Sequence, residues 1–220
     1  MVLLLLITAF VSCKKDNEPV NFHYGYFPVD QGRYVIYQVH EENIDVNVNQ
    51  YDVSDYYLKA IIGDTIIDNQ GRIVNRYERY VSNSVSGPWT LKDIWTTIIE
   101  SNRAELVEEN NRMIKMVFAP TKFKEWNMNA YNVLDPLDCY YRDIHKSFAL
   151  NGISFDSTVV VEQEEYTTSK IDYRRKYEVY AKNVGMIQKY FKDQTNVFGD
   201  TSNVIKGKTL IMNAVEFGVE

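Results

Sequence analysis

The side chains able to bind a metal, attack a carbon or move a proton are few in these 220 residues, and their spacing assembles none of those sites. His23, His40 and His145 are scattered. His40-Glu41-Glu42 sets an imidazole beside carboxylates, but adjacent residues of a strand point to opposite faces, so the triplet reads as surface polarity rather than as metal ligands. Cys139 as a nucleophile needs an imidazole to take its proton, and without one a lone cysteine behaves as a small buried apolar group. Pairs such as Glu108-Glu109 and Glu164-Glu165 fall at turns or strand ends. Glycosidase carboxylates meet through the fold rather than through spacing, so no pair is nominated. The phosphate-binding glycine loop, the dinucleotide fingerprint, GxSxG and HExxH are absent. The expectation is a chain with no catalytic residue, no metal and no cofactor, hence no enzyme; an enzyme would need a cleft gathering His145, Cys139 or carboxylates from distant strands.

Aromatic surface is what the sequence offers instead. Aromatic residues make up 14% of the chain and 17 of them are Tyr. In the stretch 26–39 a turn at Asp30-Gln31-Gly32 launches a strand with Val35, Tyr37 and Val39 on one face and Tyr34, Ile36 and Gln38 on the other. Both faces carry apolar bulk, so the strand needs cover on both sides, either a core and a second layer or a core and something bound. Tyr34, Tyr37, Tyr77, Trp95 and Tyr180 are the expected lining of a concave sheet face able to shelter a lipid, a glycan or a peptide. Trp95 sits mid-strand, where a core role weighs most. The alternative is a structural or adaptor protein whose aromatics are all core, and whose sheet edge or loops pair with a membrane complex.

The elements that must position these residues are strands. Tyr, Val, Ile and Thr are abundant beside only 5 Pro and 10 Gly, which favours sheet. Stretches 57–67 and 72–81 flank the turn Asp68-Asn69-Gln70-Gly71 as a hairpin requires. Stretches 90–100, 103–108 and 112–118 form a meander turning at Ser101-Asn102 and Glu109-Asn110-Asn111. Ile44, Val46 and Val48 alternate with polar residues and extend or re-pair the first strand. Around Asp135-Pro136 the pattern fits a short helix as well as a strand. Asn151-Gly152 turns a hairpin, strands follow at 171–181, 184–191 and 208–217, and a polar loop is expected over 193–207. The predicted fold class is mainly β: a single curved antiparallel sheet or half-barrel with few short helices.

The formal charge of −6 excludes a nucleic-acid binder, which needs a basic surface to displace counterions. Arg174-Arg175-Lys176 reads as a solvated strand face. Residues 2–11 are an apolar run too short to span a bilayer and of the length of a signal-peptide core. Ser12-Cys13 closes it before Lys14-Lys15-Asp16-Asn17-Glu18, and this resembles the lipobox of bacterial lipoproteins, which implies that Cys13 is lipidated and becomes the first mature residue. No Lys or Arg precedes the run, which departs from that pattern. The resulting layout is a signal peptide over 1–12, lipidated Cys13 with a tether over 13–22, and one β-rich domain over 23–220. Removing Cys13 leaves Cys139 alone, so the domain has no internal disulfide and its stability must come from its core.

The phrases YFPVDQGRYVIYQV, DNQGRIVNRYERYV, AELVEENNRMIKMVF, WNMNAYN and YEVYAKNVGMIQKYF resemble a family of uncharacterised Bacteroidota lipoproteins. The pattern from Tyr180 to Lys189 is also similar to the closing strands of LolA- and LolB-like lipoproteins, curved sheets that shelter an acyl chain, although this chain lacks their amphipathic helix. The resemblance implies an outer-membrane lipoprotein, on the periplasmic face or the cell surface, held to the membrane through Cys13. The aromatic face adds the expectation of a small hydrophobic or glycan ligand, the charge that of no nucleic acid, and the protein partner is left undetermined. It brings no activity with it.

Overall fold

The structure, a computed structural model, describes residues 19–168 and 171–220; Cys13 and the signal peptide lie outside the described residues. The strands are β1 (Arg33–Asp45), β2 (Gln50–Ile67), β3 (Ile73–Ser82), β4 (Thr90–Glu100), β5 (Arg103–Glu108), β6 (Asn111–Val117), β7 (Glu125–Asn127), β8 (Asp138–Leu150), β9 (Ile153–Thr168), β10 (Asp172–Ala181), β11 (Gly185–Val197) and β12 (Asp200–Val219). They form one twelve-stranded sheet in the order β6-β5-β4-β3-β2-β1-β12-β11-β10-β9-β8-β7. Every pairing is antiparallel, and the β1–β12 ladder joins the two meandering halves. The only helices among the described residues are two single 3-10 turns, Tyr24–Tyr26 and Val46–Val48, and none is long and apolar enough to cross a membrane.

The sheet curls until its two end strands almost meet. Ile114 N–H on β6 donates to the Met128 carbonyl just past β7 at 2.9 Å, and the Trp126 indole N–H donates to the Ile114 carbonyl at 2.9 Å. Bulges drive the curl, because an extra residue bends its strand and increases twist: registers shift at Ile36/Tyr37, Val179/Tyr180 and Ala104/Glu105. Asn151 and Gly152 both take positive φ, 52° and 80°, which the tight β8–β9 hairpin turn requires. That hairpin bends back until Asn151 Nδ2 reaches the Ala214 carbonyl at 3.3 Å and Phe155 packs on Phe217.

Two apolar clusters fill the curl. One gathers Tyr26, Met116, Phe118, Trp126, Tyr141 and Tyr180, drawn from β6 to β10 and the N-terminal turn. The other gathers Tyr37, Val39, Leu58, Val179, Ile187 and Met212, drawn from β1, β2 and β10 to β12. Tyr26 itself is fully buried and its segment closes one end, where Ala119 N–H donates to the Phe22 carbonyl.

Two expectations need correction, and one open alternative is decided. The first strand does not continue through Val48: Asp45 accepts from Asn47 N–H, a 3-10 turn forms, and Asn49 takes φ 56° to start β2. Apolar alternation mimicked a strand there, while the Asx turn decided the backbone. Residues 193–207 are strand, not loop, because β11 and β12 run on to a turn at Phe198-Gly199 and their polar side chains pair across the ladder, as where Gln194 Nε2 donates to Thr209 Oγ1 at 3.1 Å. The ambiguous segment after Pro136 is strand β8, fixed by its ladder with β9.

Candidate functional site

Alternation along β1 places Tyr37 inward, opposite Leu58 on β2 and Ala214 on β12. Tyr77 on β3 faces Trp95 on β4 directly across the ladder, with ring planes 12° apart and centroids 6.2 Å apart. The Arg79 guanidinium lies 3.3 Å from the Trp95 ring centroid and forks onto Asp93 at 2.6 and 2.5 Å. Tyr37, Tyr77, Arg79 and Trp95, with Leu58, Leu106 and Met212, line a cavity of about 110 Å³ inside the curled sheet. Trp95 also borders an outer depression lined by Asp93, Glu109, Arg112 and Tyr131. The β4–β5 ladder begins only at Thr96, so β4 and β5 splay apart beside this ring.

The cavity has a charged floor. Lys115 Nζ on β6 donates to Glu178 Oε1 on β10 at 2.7 Å, and Tyr180 Oη donates to Glu178 Oε2 at 2.6 Å. Lys189 Nζ stands 3.7 Å from the same carboxylate. Lys115 points inward because it is the extra residue of a bulge: Met116 pairs Ala104 and Ile114 pairs Glu105, leaving it unpaired between them. Burial alone would raise the Glu178 carboxyl, but the Lys115 and Lys189 ammonium groups pull it down to about 2. Burial likewise opposes the Lys115 charge, and the Glu178 and Glu108 carboxylates outweigh it and hold that ammonium above its ordinary value. Burial pushes the Tyr77 phenol up to about 12 and the Tyr37 and Tyr180 phenols well above their ordinary value. The Lys115–Glu178 pair therefore stays charged and these three phenols stay neutral near neutrality.

The five aromatics expected on the ligand face all border this cavity. Tyr34 does so from the rim, since its hydroxyl donates to Glu216 at 2.9 Å and the Lys59 ammonium covers its ring on the opposite face of the strand. The charged residues were not expected. Their signal is present in the sequence as Lys115 set between Ile114 and Met116 and Glu178 between Tyr177 and Val179, an acid and a base each embedded in an apolar strand run.

The other groups able to do chemistry stay apart. Cys139 is fully buried, its thiol donates to the Leu137 carbonyl at 3.6 Å, and burial pushes it up to about 12. His145 lies within 2.6 Å of the Tyr26 hydroxyl, its ring sits at a 42° tilt to that of His23 with centroids 4.4 Å apart, and burial lowers its basicity. His40 sits between Asp55 at 2.8 Å and Glu42 at 3.3 Å, with Glu41 turned away to Tyr56. Among the described residues no three His, Cys, Asp or Glu side chains group as metal ligands.

No family model and no curated protein matches this sequence, so no family match stands behind the LolA and LolB likeness. A solved structure of a candidate lipoprotein from Parabacteroides distasonis aligns over 88% of this chain and 98% of its own, with 12% identity and a TM-score of 0.41. A likeness at that level bears on neither family nor function.

Proposed function

We propose that this chain is a non-catalytic lipoprotein, held on the outer membrane through Cys13, whose curled sheet binds a small ligand in its interior. The observation that carries the reading is the cavity itself, where stacked Tyr77 and Trp95 meet a charged cluster inside an otherwise packed core. Sites of this kind combine apolar walls with a few placed polar groups. The lipobox supports the anchor, because acyl chains at about 0.8 kcal/mol per buried methylene hold a protein on a bilayer when two or more are attached.

Native mass spectrometry tests the binding. Protein taken from its own cell envelope is expected to carry a small co-purifying mass that Trp95→Ala loses while circular dichroism stays that of a folded sheet. A bare protein mass from that source counts against the reading. Cys13→Ser is expected to move the protein from the membrane fraction to the soluble fraction, and retention on the membrane would overturn the anchor.

A second reading, an adaptor for a membrane complex, draws on the exposed hairpin ends. Val48 is 69% and Phe198 76% exposed, on neighbouring hairpins at the end away from the N-terminal turn. A bare mass together with a partner captured through Phe198, and lost in Phe198→Ser, would favour it.

A further inference from the structure

We propose that the cavity takes one neutral, hydroxylated ring of monosaccharide size; this rests on the cavity being a binding site. Size comes first. A water needs about 10–15 Å³ of such space, so 110 Å³ suits a pyranose ring with its hydroxyls. A long acyl chain or a peptide of several residues would enter it only in part.

Charge narrows the class further. Arg33, Arg79, Lys115 and Lys189 face Glu108 and Glu178 around the cavity. Arg33 is already held by Asp30 at 2.7 Å and Arg79 by Asp93, so the formal charges cancel and an anion or cation meets no surplus counter-charge. An acyl chain laid on the Lys115–Glu178 pair would bury its remaining polar valences without partners, which is costly.

Hydrogen bonding selects among neutral molecules. The Trp95 indole N–H is buried, the residue being only 8% exposed, and has no acceptor. An unmet buried donor costs about 1–3 kcal/mol, which a ligand oxygen would recover. Lys189 keeps donors beyond hydrogen-bond distance of Glu178, whereas Glu108 offers an acceptor. A hydroxyl both donates and accepts, so a single sugar ring can meet Trp95, Lys189 and Glu108.

The test is calorimetric titration of the chain from residue 14 onward with glucose, galactose, mannose, fucose, xylose and N-acetylglucosamine, with palmitate and benzoate as competing classes. At least one neutral sugar is expected to bind. Trp95→Phe, which keeps a ring and removes the donor, is expected to weaken it about tenfold, or about 1.4 kcal/mol. Lys189→Met, at a partly exposed position, is expected to weaken it as well. Trp95-dependent binding of palmitate or benzoate with no sugar response would overturn the ligand class and leave the binding site standing. If no probe gives heat and none shifts the methyl resonances of Leu58, Leu106 and Met212, both the class and the site are overturned.

Discussion

Glu178→Gln is expected to destabilise the protein by about 3–5 kcal/mol, because it leaves the Lys115 ammonium buried without its counter-charge. Lys115 is 4% and Glu178 1% exposed, so solvent offers little screening. Replacing both, as Lys115→Met with Glu178→Leu, should recover most of that loss, since a buried pair exchanged for packed apolar groups is often neutral. Urea unfolding of the two single variants and the double variant measures the coupling. Additive losses would mean that the pair does not interact as the 2.7 Å contact requires. The same carboxylate fixes an acid dependence. Its folded value of about 2 lies below the ordinary 4.5, so its contribution is complete above about pH 4.5 and is lost as pH falls towards 2. That shift corresponds to about 3 kcal/mol at most. Glu178→Gln should therefore flatten the loss of stability over that window, and an unchanged slope would place the acid response elsewhere. Glu162 works in the opposite sense, because burial raises its carboxyl despite Arg175 and Arg142.

Strand positions were legible wherever alternation was bounded by turn residues. The meander of β4, β5 and β6 emerged almost residue for residue, because Ser101, Glu109 and Asn110 take the left-handed angles that end each strand. Legibility failed where a side chain overruled periodicity, as Asp45 did at the turn before β2, and where polar strands satisfied one another, as in the far ends of β11 and β12. The aromatic part of the site could be nominated from composition and alternation. Its charged floor could not, because Lys115 and Glu178 are 63 positions apart and meet only across the curled sheet. The inward aim of Lys115 also depends on a bulge, and a single inserted residue leaves no mark in an alternating pattern except a charge in an apolar run. The near-closure of the sheet was equally hidden, since it depends on accumulated twist rather than on any one segment.

Trp126→Ala is expected to cost about 3–5 kcal/mol, the range for removing a buried Trp side chain, and to open the seam between the end strands. β6 and β7 share no ladder in the sheet, so their edges present backbone groups that must find other partners. Trp126 supplies much of that closure: its indole N–H holds the Ile114 carbonyl at 2.9 Å, and its ring packs on Tyr141 at a centroid distance of 4.9 Å. The Ile114 N–H, bonded to the Met128 carbonyl, is the natural reporter. In Trp126→Ala its hydrogen exchange should quicken far more than that of Val39, in the middle of the β1–β2 ladder. Trp126→Phe, which keeps a ring but loses the donor, should fall between, at about 1–3 kcal/mol for an orphaned carbonyl. Equal acceleration at Ile114 and Val39 would mean that the sheet opens only as a whole and that the seam is not its weak point. Preferential acceleration at Ile114 would identify the seam as the place where the wall can part, next to the β5–β6 turn that borders Trp95. A ligand too large for the gap beside β4 would then have a route to the cavity that costs only local opening.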